Sequence, residues 1–462
     1  MNTIKTDIIP HKPSFAKLDV PKELNYEAIC VFVAIGFFLD QDCYYKDDIC
    51  LRPATINTID DKGVLIDSKP WFKWHYTPRE INKNEALKEF TDLFETIIDK
   101  QTQSKKVILP LSGGLDSRSQ AVALQQLGKK VRSYSYHFEN GYNESKISEA
   151  IAKVCNFEFE KFEISKGYLW TSIKSLAKIN GCYSEFTHPR QMAVVDQLKS
   201  KGEIFSLGHW GDVLFDSTTD KQLTEDEEVN LILKKIIKKG GLQLASQLWN
   251  SWSLKGEFEA YLKRRVKSLL DDIDINNSSA KIRAFKSLYW APRWTSVNLS
   301  IFETVAPISL PYYDNRMCEF VCTIPESILA NRQLQIAYIK KRNTVVSKIT
   351  WQEHQPFNLY NYRYNKAPFN LPTRIMSKLK RTINSIFGKP YVQRNWELQF
   401  VGKHNDLHLQ NYLFNTGLDQ LIPESIINET YSNFKDVNQL EFAHPVSMLL
   451  TLSLWQSSFN DT

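Results

Sequence analysis

The sequence predicts an α/β protein, built as a parallel sheet with helices on both faces, a helical C-terminal part and a small mostly-β unit in front. Three observations carry this. Between Val107 and Leu207, strand-like runs alternate with segments of helical spacing, the order of a parallel sheet. Two of these runs end in glycine turns, Ser112-Gly113-Gly114 and Gly208-His209-Trp210-Gly211, where such sheets bind ligands. Beyond Asp220 the strand-like runs give way to helical ones.

Taken in order, residues 26–76 read as short β pieces at 29–38, 44–45, 49–51, 63–66 and 71–76, separated by Asp, Pro and Gly turns. Residues 85–98 place Leu87, Phe90, Phe94 and Ile97 on one helical face and lead into an apolar strand at Val107. A helix follows the first glycine turn and stops near Gly128, and 131–138 is the next strand. Residues 143–155 are helical, 157–164 strand-like, 168–179 helical and 204–207 a further strand. Later helices are expected at 227–239, 242–252, 258–270, 284–289, 319–322 and 335–347, with a core helix at 446–455. Two units are expected, 1–79 and 80–462, since the chain is too long for one ordinary core.

Bulk properties narrow the function classes. Hydrophobic residues at 42% and charged residues at 24% are globular values, and a net charge of +6 over 462 residues does not argue for a nucleic-acid partner. Seven cysteines without a C-x-x-C pair read as reduced thiols, neither a disulfide framework nor a zinc site. The apolar run 28–39 is far shorter than the ~20 residues that span a bilayer. Met1 to Lys22 lacks a charged-then-apolar signal pattern, so a cytoplasmic location is expected. The basic stretch from Arg374 to Lys389, with interleaved apolar residues, is expected to be a solvated helix face, with an anionic membrane or nucleic acid as the other readings.

The first glycine turn carries the chemistry. Gly113 and Gly114 let a ligand approach the backbone, and the helix behind them presents unpaired N–H groups and a positive dipole end. Ser112 and Ser117 add hydroxyls, and Asp116 supplies a carboxylate suited to Mg²⁺ on a phosphate. No lysine follows the glycines, so this is not the phosphate loop of γ-phosphoryl transfer. At the second turn, Leu207 and Gly208 continue a strand end and Asp212 supplies another carboxylate for the same Mg²⁺.

Ser112-Gly113-Gly114-Leu115-Asp116-Ser117 behind a strand resembles the pyrophosphate loop of the ATP pyrophosphatases, which split ATP between its α and β phosphates. Gly208 to Phe215 is similar to the G-E-G-x-D-E-x-F stretch of the asparagine synthetase family, which also carries the first loop. Tyr142-Asn143-Glu144-Ser145, Pro311-Tyr312-Tyr313-Asp314 and Lys366-Ala367-Pro368-Phe369-Asn370-Leu371-Pro372 resemble further family motifs in family order, and the resemblance covers about residues 80 to 455. It implies an adenine nucleotide α-hydrolase-like fold and an AMP-forming amide ligase using ATP and Mg²⁺, which adenylates a small-molecule carboxylate and joins it to ammonia or an amine. Relatives without a glutaminase are associated with polysaccharide assembly, which implies an uronic acid as one candidate substrate.

By the same resemblance Lys366 stabilises the adenylate, with His354 as the rival position next to Gln355-Pro356-Phe357. His209 stands where asparagine synthetases have glutamate and β-lactam synthetases tyrosine; lasso-peptide cyclases show a similar Gly-His-Gly-Gly-Asp. It is a candidate base or acceptor-site residue. Trp210 replaces a family glycine and should narrow the pocket, while Arg190 and Glu303 are further candidates. Glutamine-dependent relatives carry a cysteine directly after the initiator methionine, where this chain has Asn2. The front unit therefore resembles a truncated, cysteine-less glutaminase-like domain, and nitrogen is expected from free ammonia, an ammonia-supplying partner or an amine substrate. An RNA-modifying ATP pyrophosphatase, a peptide or lactam cyclase and a non-catalytic nucleotide-binding module are the alternative readings.

Overall fold

Five parallel strands form the central sheet of the computed structural model, which describes residues 1–188, 190–386 and 391–460. Pro189 and residues 387–389 of the basic stretch lie outside the described residues. The front of the chain contributes strands β1 (Asn2–Lys5) and β2 (Phe15–Lys17), helix α1 (Tyr26–Ile35), then β3 (Asp48–Cys50), β4 (Thr55–Ile59) and β5 (Leu65–Pro70). Strands β1, β4 and β5 make an antiparallel sheet and β2 pairs with β3.

Helix α1 replaces the strand expected at 29–38. Its eight residues from Ala28 to Ile35 are all buried, so the run is apolar on every side and shows neither a two-residue nor a 3.6-residue period. The ends carry the helical signal instead. The Asn25 side chain accepts from the Ala28 N–H at 3.2 Å, and Gly36 closes the helix at φ +82°, a left-handed cap that glycine takes without strain. Helix α1 packs against the helix Gly241–Ser251 and receives His444 Nε2 on the Val33 carbonyl at 2.9 Å. Residues of the front unit thus share one continuous apolar core with the rest of the chain.

The sheet begins after α2 (Lys83–Thr102), whose Asn82 and Glu85 form a capping box and whose Phe90, Phe94 and Ile97 are buried. It then runs β6 (Val107–Pro110), α3 (Leu115–Gln126), β7 (Val131–Phe138), α4 (Ser145–Cys155), β8 (Glu158–Ile164), α5 (Tyr168–Asn180) and β9 (Ile204–Ser206). A two-residue strand, β10 (Ile308–Ser309), completes it in the order β10-β9-β6-β7-β8, all parallel. The chain travels from β6 outward through β7 to β8 and then returns to the other side of β6 as β9. That reversal leaves a crevice beyond the carboxyl ends of β6 and β9, the position at which open α/β sheets bind ligands.

The C-terminal part is helical as expected, with two departures. The helix expected at 335–347 is broken at Asn343 into Gln333–Arg342 and Thr344–Lys348, because the Asn343 side chain caps the second piece. The segment expected as a helix at 284–289 belongs to a π-helix, Lys286–Thr295, with Pro292 inside it. Proline supplies no N–H and its ring collides with the carbonyl four residues back in an α-helix, so a wider turn relieves both. Among the described residues no helix is long and apolar enough to cross a membrane.

Candidate active site

The first loop is held in shape by its own serines. Ser112 N–H donates to Ser117 Oγ at 3.0 Å, the two hydroxyls lie 2.9 Å apart, and Gly114 N–H donates to Ser112 Oγ at 3.2 Å. A methyl group on Gly113 would lie 2.7 Å from Gln352 Cβ and 3.2 Å from Ile147 Cγ2, so only glycine lets that neighbouring segment close over the loop. Beneath it the fully buried Arg118 guanidinium donates to the carbonyls of Gly113, Ile349 and Thr350, and burial lowers its pKa to about 10. Gly113 N–H donates to Glu144 Oε2 at 3.1 Å, which shows that the loop amide faces an anion. Helix α3 starts at Leu115 without a side-chain cap.

The second loop locks onto the first. A methyl group on Gly208 would come within 2.9 Å of Asp116 Cβ, and Gly211 packs against the Asp116 carboxylate. Asp116 and Asp212 therefore line the same cavity, of about 550 Å³. Burial raises the Asp116 pKa from 3.8 to about 6; Arg332 pulls it down and the Asp212 charge pushes it up. Arg332 Nη2 pairs with Asp116 Oδ1, which also accepts from Gln335 Nε2 at 2.8 Å. Asp116 Oδ2 has no hydrogen-bond partner among the described residues. Two carboxylates that repel each other on one cavity wall, with an oxygen left over, form a hard-oxygen donor set that fits Mg²⁺.

The π-helix forms the facing wall and presents Lys286, Trp290 and Trp294 to the cavity. Hydrogen bonds from i to i+5 put more residues in each turn than the ~3.6 of an α-helix, so residues four apart stay close to one line. Lys286 makes no hydrogen bond or ion pair among the described residues. Burial lowers its pKa from 10.5 to about 8, Lys235 and Arg283 lower it further, and Asp212 and Asp216 oppose the shift. Trp290 stacks on Phe37 at 5.9 Å between ring centres, and Trp294 sits between the edge of His188 and the Lys238 ammonium. Five cavity-lining residues, Tyr134, His209, Trp290, Trp294 and Thr295, each carry a buried polar atom without a partner among the described residues. Such atoms mark a place where water or a ligand completes the bonding.

His209 and Trp210 occupy the turn between the walls. Burial lowers the His209 pKa to about 4, against the pull of Asp212, so the ring is neutral at neutral pH. Trp210 lies at φ +80°, in the left-handed region, which explains the glycine that relatives are expected to carry there. Its indole N–H reaches Ser287 Oγ at 3.0 Å and its ring lines the cavity.

Of the residues singled out in the sequence, Ser112, Asp116, Ser117, Leu207, Gly208, His209 and Asp212 line this one cavity. Gly114 borders an adjoining groove with Gln352 and Arg332, and Gly113 supports it from below. Lys366 is not brought to the cavity; its side chain is exposed. His354 is packed on Trp351 with ring centres 4.2 Å apart, two residues from the Gln352 N–H that donates to the Gly113 carbonyl. Arg190 lies over the Phe138 ring and Glu303 faces His11, both outside the cavity lining. Asp314 caps the helix Asn315–Cys322 and pairs with Arg316. Arg332, Gln335 and Lys286 were not foreseen. The sequence signals were faint: a proline within an otherwise helical run for the Lys286 wall, and none for the other two.

A glycine-rich loop and paired carboxylates thus stand together at the switch point of a parallel sheet. Residues 89–206 match the family model described as asparagine synthase. The match contains the first glycine loop and ends just before Leu207. Among solved structures, the chain is similar to NMN synthetase from Francisella tularensis, at 16% identity over 45% of this chain and 93% of that one, with a TM-score of 0.23. It is also similar to the U34-tRNA thiolase NcsA from Methanococcus maripaludis, at 12% identity over 44% and 78%, with a TM-score of 0.21. Among curated proteins none matches the chain.

Proposed function

We propose that the protein is an AMP-forming amide ligase that adenylates a small-molecule carboxylate with ATP and passes the acyl group to ammonia or an amine. One observation carries the reading: two glycine loops from the neighbouring strands β6 and β9 interlock, so that Asp116 and Asp212 line a single cavity with the Ser112 loop. In this reading the carboxylate attacks the α phosphorus, the bond to the β phosphate breaks, and pyrophosphate leaves against the loop. The amine then attacks the acyl carbon and AMP departs.

Asp116 and Asp212 would hold Mg²⁺, which neutralises charge on the leaving pyrophosphate when bound. Ser112, Gly113, Gly114 and Ser117 orient the phosphates, and Leu207 and Gly208 border the nucleotide. Arg332 keeps Asp116 ionised and offers a second cation beside the loop. Lys286 takes the role of the fixed cation, being the lysine that lines the cavity. His209, neutral and poorly basic, accepts a hydrogen bond from the incoming amine and orients it. A cyclase would run the same chemistry with acid and amine on one molecule. The front unit is assigned no glutaminase role, because Cys30, Cys43 and Cys50 are buried thiols. Product analysis tests the proposal: AMP and pyrophosphate are expected with Mg²⁺ and the right acid, and release of ADP and phosphate overturns it.

A further inference from the structure

From His354 to Trp396 the sequence contains no aspartate or glutamate and eight lysines and arginines. The centre of this stretch is the helix Leu371–Ile386. Leu371, Ile375, Met376 and Leu379 fall on one side of it at helical spacing, and Ile383 and Ile386 continue the same line in the sequence. Lys378 and Lys380 flank that line, one on each edge. An ordinary solvated helix would turn its apolar side inward. Here Leu371 is 45% exposed, Ile375 57%, Met376 70% and Leu379 57%, with Phe369 at 55% just ahead of them.

We infer that this helix lies in the surface of an anionic lipid bilayer, with its apolar side chains among the acyl chains and Lys378 and Lys380 at the headgroups. Sixteen residues make a rod of about 24 Å, shorter than the ~30 Å hydrocarbon layer, so the helix lies along the membrane and does not span it. Lysines at the borders of an apolar face can extend their ammonium groups to lipid phosphates while their stems stay in contact with hydrocarbon. A nucleic acid would need the charges to converge, whereas here an apolar strip separates them. The segments flanking the helix are tied to the sheet unit, the first of them at the glycine loop. Before it, Gln352 N–H donates to the Gly113 carbonyl at 3.2 Å; after it, Val392 N–H donates to the Asn140 carbonyl at 3.2 Å.

The test is sedimentation of the full chain with vesicles of phosphatidylcholine alone or mixed with phosphatidylglycerol. Binding is expected to the mixed vesicles and to weaken with salt. The triple variant Ile375→Ser, Met376→Ser, Leu379→Ser should lose at least about tenfold in affinity, and Lys378→Gln with Lys380→Gln should lose most of the preference for the anionic lipid. Ile375, Met376, Lys378 and Leu379 are exposed, and unchanged thermal unfolding of each variant checks that the fold is intact. Failure to bind mixed vesicles overturns the inference. So does equal binding by the triple variant, which would reduce the contact to general adsorption of a basic protein. Lipid-free self-association that the triple variant abolishes would assign the face to a second copy of the chain and overturn it as well.

Discussion

Lys286→Met is expected to make the protein more stable and less active. The ammonium of Lys286 has no ion pair among the described residues, and burial in the cavity wall lowers its pKa from 10.5 to about 8. A difference of that size means that the charged form costs the folded state about 3 kcal/mol relative to the unfolded chain. The sign follows from the direction. Below about pH 8 both states carry the proton and the full cost applies; as pH rises from about 8 toward 10.5 the folded state sheds its proton first and the cost fades. Methionine keeps the length of the side chain without the charge, so at neutral pH the variant should unfold a few degrees higher, with the gain vanishing near pH 10. Differential scanning calorimetry at the two pH values measures this without any substrate. Turnover should fall by about 10²-fold or more, the scale of losing one preorganised cation. A variant that unfolds at the same or lower temperature at neutral pH would show that Lys286 is not an uncompensated charge, and the reason for assigning it the cation role would go with it.

Three further outcomes follow from the site. Asp116→Asn should abolish AMP formation, and in the wild type Mg²⁺-dependent ATP binding should weaken as pH falls through about 6, because the proton competes with the metal for Asp116; titration calorimetry across that range would show it, and flat binding would refute it. Lys366→Ala should leave turnover within a few-fold of normal, since the side chain is exposed away from the cavity; a loss of about 10²-fold in product formation would return the cation role to Lys366. The chain should release no ammonia from glutamine, because burial raises the pKa of Cys43 to about 12 and also raises those of Cys30 and Cys50, which leaves little thiolate to attack; steady release blocked by an alkylating glutamine analogue would contradict this.

Local signals were sufficient where the chemistry is local. Val107–Pro110 is apolar because both faces of β6 are covered, Gly113 is dictated by the approach of a neighbouring segment, and Asp116 follows one helical turn later, so a dozen consecutive residues spelled out the strand, glycine loop and helix start. The same holds for β7 to β9, whose strand-like stretches are bounded by turn residues, although β7 and β8 alternate apolar with polar or charged residues. Helix α1 was misread because a segment buried on every side has no polar face to reveal its period, and only its caps, Asn25 and Gly36, marked it as helical.

The partners of Asp116 were decided by the tertiary structure alone. Arg332 and Gln335 lie 216 and 219 residues away along the chain, on a segment with no motif, and meet the carboxylate only because the helix Gln333–Arg342 packs on α3. Lys286 likewise enters the cavity through the wide turn around Pro292, a geometry that depends on what surrounds the helix as much as on its residues. The exposure of Ile375, Met376 and Leu379 is a third case, since an amphipathic pattern is the same whether a core or a membrane covers it. Sequence determined which backbone loops could hold phosphate, because that property resides in adjacent residues. Which charges face the loops, and which apolar faces remain uncovered, depends on contacts between distant segments, and those exist only once the chain has folded.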